Sequence, residues 1–167
     1  MLNFLRVTNH LRLHSALFFV FMLMPTATST ASTENHCSNL KQLIANAPSN
    51  FSKIIVNADR QSGGYDVTLR LEGAMECAVM AQSNKRSYYC VWKFLYRDAS
   101  AYRKFAELDR EVNDCFGHWA ISSRDQSVNH PDFYDSRMYK MDQAKVTISV
   151  KDKSALGTTF VYVWVAP

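Results

Sequence analysis

Two alternating runs, residues 74–81 and 87–96, flank Ser83-Asn84, and each run carries one cysteine at a matching distance from that turn. A two-residue hairpin turn pairs Gln82 with Lys85, and counting outward along the ladder sets Cys77 opposite Cys90. The same count makes them a non-hydrogen-bonded pair, the closer kind, whose Cα separation a disulfide accepts. A covalent link here ties register to chemistry, because a one-residue slip separates the sulfurs and turns every side chain to the other face.

The two remaining cysteines, Cys37 and Cys115, are left to each other. Both sit on apolar helical stripes: Cys37 with Leu40 and Ile44, and Cys115 with Phe105, Leu108 and Val112. In the loop-entropy picture the long Cys37–Cys115 loop stabilises by ~4.5 kcal/mol and the hairpin loop by ~3 kcal/mol. Those sums rival the whole stability of a small domain. No CxxC and no Cys/His cluster accompanies the cysteines, which argues against a reactive thiol or a zinc site.

An even cysteine count suits an oxidising compartment, and the N-terminus agrees. Arg6 and Arg12 precede an unbroken apolar run from Ala16 to Met24, followed by Ser29-Thr30-Ala31, which is the layout of a cleaved export signal. Nine apolar residues are too few for a membrane span, which takes ~20. The reading is therefore a signal peptide over residues 1–31, a single α+β domain over 32–167, no membrane anchor after cleavage, and a secreted or periplasmic location. Of the 19 basic residues the leader takes two and of the 15 acidic residues none, so the net charge falls from +4 to +2. No Lys/Arg-rich run remains to hold a phosphate backbone, and nucleic acid is not expected as a partner.

Along the mature chain, Ser38 to Ala47 reads as a short helix ended by Pro48, and Ile54-Ile55-Val56 suits either a helix or a strand. Gly64 to Leu71 alternates Tyr65, Val67, Leu69 and Leu71 against polar residues, so it reads as a half-buried strand, with Glu72-Gly73-Ala74 leading to the cysteine hairpin. Asp98 caps a helix that runs to about Cys115, with Gly117 placed to end it. Lys145 to Val150 and Thr158 to Val165 form a last hairpin across a loop at 152–157. The predicted order is α-β-β-β-α-β-β: helix, three-stranded antiparallel meander, helix, two-stranded hairpin, with two disulfides. This order resembles the plan of small secretion-chaperone-type α/β proteins, a likeness of element order to which no functional residue is attached. No internal repeat is visible.

The last strand has no polar face, since Phe160, Tyr162 and Trp164 alternate with Val161, Val163 and Val165. It reads as a central strand covered on both sides, or as a strand offering one side to a homodimer or another partner.

Residues 117–143 lack periodicity, which marks either a functional loop or a misread element. Trp119, His130, Phe133, Tyr134 and Tyr139 are the candidate binding residues there, because amphipathic aromatics make binding hot spots. His118, His130, Asp132 and Asp135 do not match helical metal-ligand spacing, and no metal or other cofactor is expected. His130 and Asp132 could bond across Pro131 as an acid–base pair, but a turn that satisfies itself is the favoured reading. Ser83-Asn84-Lys85-Arg86 is a basic hairpin tip. GxSxG, HExxH, P-loop and dinucleotide fingerprints are absent. The reading is an exported, non-catalytic binding or accessory protein, such as a periplasmic inhibitor, immunity factor or secretion accessory, acting on another exported protein. The competing reading is a small secreted hydrolase using the 117–143 loop.

Overall fold

The computed structural model describes residues 31–57, 64–82, 85–117, 121–125 and 132–167. Of the sequence readings, residues 1–30 of the leader, the Gln61-Ser62-Gly63 part of the first turn, Ser83-Asn84, His118, Trp119, His130 and Pro131 lie outside these residues. The elements run α1 Ala31–Asn46, β1 Ile55–Asn57, β2 Gly64–Val67, β3 Glu76–Gln82, β4 Lys85–Leu95, α2 Ala99–Phe116, β5 Ile121–Asp125, β6 Tyr134–Lys140, β7 Lys145–Lys153 and β8 Thr158–Ala166.

The α+β class holds, and the element order does not. In place of a three-stranded meander and a separate hairpin there is one antiparallel sheet of eight strands, ordered β1-β2-β3-β4-β8-β7-β6-β5. The chain is a helix plus a four-stranded meander, twice over, and the two meanders join antiparallel through their last strands, β4 and β8. A repeat invisible in the residues is thus present in the topology. The expected two-stranded hairpin exists as β7–β8, but it lies at the middle of the sheet, where β8 gains a partner on each side. The 117–143 segment contributes β5 and β6, and the ambiguous Ile54-Ile55-Val56 patch supplies the short edge strand β1.

The cysteine-derived register is present residue for residue. Gln82 pairs with Lys85 and Cys77 with Cys90, whose Cα atoms lie 4.1 Å apart, the close spacing of a non-hydrogen-bonded pair. Cys37 is bonded to Cys115, which fastens α1 to α2. Strand β2 ends at Val67, four residues short of the expected Leu71, because Thr68 leaves the ladder to bond Ile54 through its own N–H and hydroxyl. Tyr65 still faces Val79, so the apolar side is kept.

At the start of α2 the Asp98 carboxylate accepts the Ser100 N–H at 2.8 Å, as expected of a cap. Gly117 ends that helix with a right-handed φ of −54°. Its requirement is space: a Cβ there would lie 2.5 Å from the Asn113 carbonyl oxygen. Strand β7 runs on to Lys153, beyond the expected Val150, and a 3-10 turn at Ser154–Leu156 with Gly157 at φ 58° returns the chain into β8.

Both helices close the same side of the sheet. Leu40 and Leu43 of α1 and Ala101, Phe105, Leu108, Val112 and Phe116 of α2 pack on Cys77, Val79, Tyr88, Cys90, Trp92, Val146, Ile148, Val150, Val161, Val163 and Val165. Each fully buried valine among them contributes roughly 1.5 kcal/mol or more by transfer from water.

Candidate functional site

Alternation along β8 sorts the chain into two faces. Val161, Val163 and Val165 go under the helices and are fully buried, whereas Phe160, Tyr162 and Trp164 turn to the other side and stay half-buried. Among the described residues no helix covers that second side.

The register gives the open face its composition. Across β6, β7, β8 and β4 one row reads Tyr134, Lys151, Phe160, Lys93. The next reads Ser136, Ser149, Tyr162, Val91, and continues to Glu76 on β3. A third reads Met138, Thr147, Trp164, Tyr89, Ala78. The rings touch across and along these rows: Tyr89 stacks on Trp164 with centroids 5.1 Å apart, Phe160 and Tyr162 are 5.9 Å apart, and Tyr162 and Trp164 are 6.4 Å apart. Such pairs contribute ~0.5–1.5 kcal/mol beyond area burial, so the ladder is preordered. The Tyr89 hydroxyl donates to Glu76 at 2.6 Å, which fixes that ring at the β3 side. Burial raises the Tyr162 pKa, keeping the phenol neutral. Burial also lowers the Lys151 pKa, with Lys153 adding to the effect.

The candidate residues of the 117–143 segment scatter. Tyr134 is half-buried and opens β6 on the open face, opposite Lys151. Tyr139 belongs to the core: it points under α2, is only 4% exposed, and donates its hydroxyl to the Asp109 carboxylate at 2.7 Å, which removes it from any binding surface. Phe133 is exposed just before β6, its ring edge-on to Tyr102 at 5.6 Å. The side chains of Trp119 and His130 fall outside the described residues.

Two carboxylates of that segment, Asp132 and Asp135, are engaged structurally. Asp132 accepts from the Ser154 N–H and hydroxyl and from Tyr96, tying the start of β6 to the β7–β8 turn. Asp135 is buried and bonded by Arg124 at 2.8 Å and by Arg137. Burial opposes its ionisation, and the hydrogen bonds and charges of the two guanidiniums outweigh that, so its pKa lies below the ordinary carboxylate value. Two cations already stand where a metal reading of Asp135 would place its ion. Among the described residues no group of three or more His, Cys, Asp or Glu side chains could hold a metal.

Comparison with protein-family models, curated proteins and solved structures finds no match. The residues themselves carry the functional reading.

The residues passed over in sequence are Tyr89, Val91, Lys93 and Lys151. Their signal was available. Strand β4 alternates Tyr89, Val91, Lys93 and Leu95 against the cysteine-bearing side, and only the adjacency of β4 and β8, a long-range pairing, shows that this face joins the aromatics of the last strand.

Proposed function

We propose that this chain is an exported, non-catalytic binding protein, and that it captures another exported protein on the open face of its sheet. The observation that carries the reading is the ladder of Phe160, Tyr162 and Trp164 on β8 with Tyr89 on β4, half-buried on two central strands whose other side is closed by both helices. A packed aromatic surface at the centre of a rigid sheet loses little conformational entropy on binding, and Trp and Tyr are the side chains most often found at interface hot spots. Export is supported by the leader in the sequence and by two disulfides. The non-catalytic part is supported by Asp132 and Asp135, each occupied by neighbours that hold the fold.

The experiment compares capture from the exported-protein fraction by the wild-type chain and by Trp164→Ala and Tyr162→Ala variants. A protein retained by the wild type and lost by at least tenfold with either variant is the expected result. Equal retention by all three, or turnover of a substrate that survives both substitutions, overturns the reading.

A further inference from the structure

Three of the large apolar side chains standing most open to solvent among the described residues crowd one end of the sheet. Leu95 closes β4 and is 77% exposed, Leu156 lies in the β7–β8 turn at 66%, and Phe133 precedes β6 at 42%. Backbone hydrogen bonds hold these segments side by side: the Tyr96 N–H donates to the Gly157 carbonyl at 3.0 Å, and the Asp152 N–H donates to the Phe133 carbonyl at 2.9 Å.

Cations surround them. Lys93 and Lys151 flank Phe160 one row inward, Lys153 pairs with Thr158 in the row that holds Leu95, and the Arg97 side chain, 60% exposed, follows directly. The acids at this end are occupied: Asp98 caps α2, Asp132 holds Ser154, and buried Asp152 accepts from Tyr102 and Thr159 and pairs with Arg97 at 3.3 Å, which leaves the lysines as the cations that matter here. Among the described residues no carboxylate forms an ion pair with Lys93, Lys151 or Lys153.

We infer that this end of the sheet is a peripheral docking tip for an anionic bilayer, seating Leu95, Leu156 and Phe133 in the lipid interface and the lysines at headgroup level. The inference goes beyond the proposed capture of a protein and uses the end of the sheet, sharing Lys93 and Lys151 with the open face but not Tyr162 or Trp164. Interfacial binding scales with the apolar area sunk into the headgroup boundary plus attraction to anionic lipid, and lysine stems let the charge remain at the surface while the apolar groups enter. Three side chains borne on a strand end, a turn and a loop suit shallow immersion. They do not supply the ~800 Å² that a stable protein contact buries on each side. A second copy of the chain fits poorly, because an isologous contact here sets lysines against lysines. Among the described residues no helix is long and apolar enough to cross a membrane.

The test is flotation of the processed, exported protein with vesicles of phosphatidylcholine containing about a quarter phosphatidylglycerol, against phosphatidylcholine alone. Expected are binding to the anionic vesicles, on the order of tenfold less to neutral ones, and a tenfold or greater loss in Leu95→Ser/Leu156→Ser with an unchanged melting temperature. Lys151→Gln/Lys153→Gln is expected to weaken binding by a similar factor and flatten its salt dependence. Trp164→Ala leaves flotation unchanged, which separates this test from that of the open face. No flotation of the wild type, or flotation of either double variant equal to that of the wild type, overturns the inference. So does binding that dextran sulfate abolishes while the leucine variant retains it, since that marks a general polyanion site.

Discussion

The Tyr102 hydroxyl lies 3.0 Å from each carboxylate oxygen of Asp152, which is fully buried at the end of β7 and also accepts from Thr159 at 2.7 Å. The start of α2 is thereby bonded to the end of β7 and the start of β8, which closes the second helix-plus-meander half on itself.

An alkaline limb of stability follows from this contact. Burial first, and then the Asp152 carboxylate, push the Tyr102 pKa up to about 12, and burial also raises Tyr88 and Tyr139. A group whose folded pKa exceeds its unfolded value, here ~10 for tyrosine, contributes stability that is complete below the unfolded value and is lost as pH rises through the folded one. Stability is expected to hold to about pH 10 and to fall above it. Phenolate absorbance should show a class of tyrosines that ionises late, and Tyr102→Phe should shrink that class. Uniform ionisation near the ordinary value with the fold intact would remove the basis for this expectation.

Adjacent residues on β8 are expected to behave oppositely. Val163 is fully buried beneath the helices, so Val163→Ala should lower unfolding free energy by roughly 2 kcal/mol through lost burial and the cavity left behind. Trp164→Ala deletes a larger side chain from the open face and should cost about 1 kcal/mol, mostly its stacking on Tyr89. Urea titrations decide this, and a larger loss for Trp164 than for Val163 would mean the aromatic face is as covered as the valine face.

The disulfides should reduce in order under native conditions. Cys77 and Cys90 are 1% and 0% exposed, while Cys37 and Cys115 are half-buried where the helices meet. A thiolate must reach sulfur to exchange. Dithiothreitol is therefore expected to open Cys37–Cys115 first, leaving an intermediate with one bridge, and to open Cys77–Cys90 only on unfolding. Peptide mapping after alkylation reads the order, and the reverse order would contradict the packing around the hairpin.

The legible parts of the fold were those where local pattern and tertiary demand coincide. Cys77 and Cys90 could be placed opposite one another because a short turn leaves one register. Asp98 could be named as a cap, and the stripe Ala101, Phe105, Leu108 and Val112 as a buried face, because both signals are local. Strand β6 was not legible. Its covered face is Asp135, Arg137 and Tyr139 and its open face is Tyr134, Ser136, Met138 and Lys140, so an ion pair sits where alternation would have shown apolar residues. On β5 the partner of Asp135, Arg124, is 54% exposed and carries no apolar signal, and with both strands hidden the eight-stranded sheet could not be counted. The open face was half legible, in Phe160, Tyr162 and Trp164, and needed the β4–β8 pairing to be completed.

That buried charge cluster supports the last expectation. Asp135 is bonded by Arg124 and Arg137, and Arg137 also lies over the Phe105 ring and near Asp109 at 3.7 Å. Because its folded pKa is depressed, the stability it contributes is present above the unfolded value of ~3.9 and is lost as pH falls through the folded value. Asp135→Asn leaves two guanidiniums without their shared carboxylate and should cost about 2 kcal/mol at neutral pH, a figure reduced because Arg124 is half-exposed. It should also flatten the acid limb of the stability curve below about pH 4. The double variant Asp135→Ile/Arg137→Leu removes the charge pair and restores apolar volume under α2, and it should recover most of that loss. If the single and double variants are equally unstable in urea, the cluster does not hold β6 to the helix face by its charges, and the ion-pair account of this strand falls.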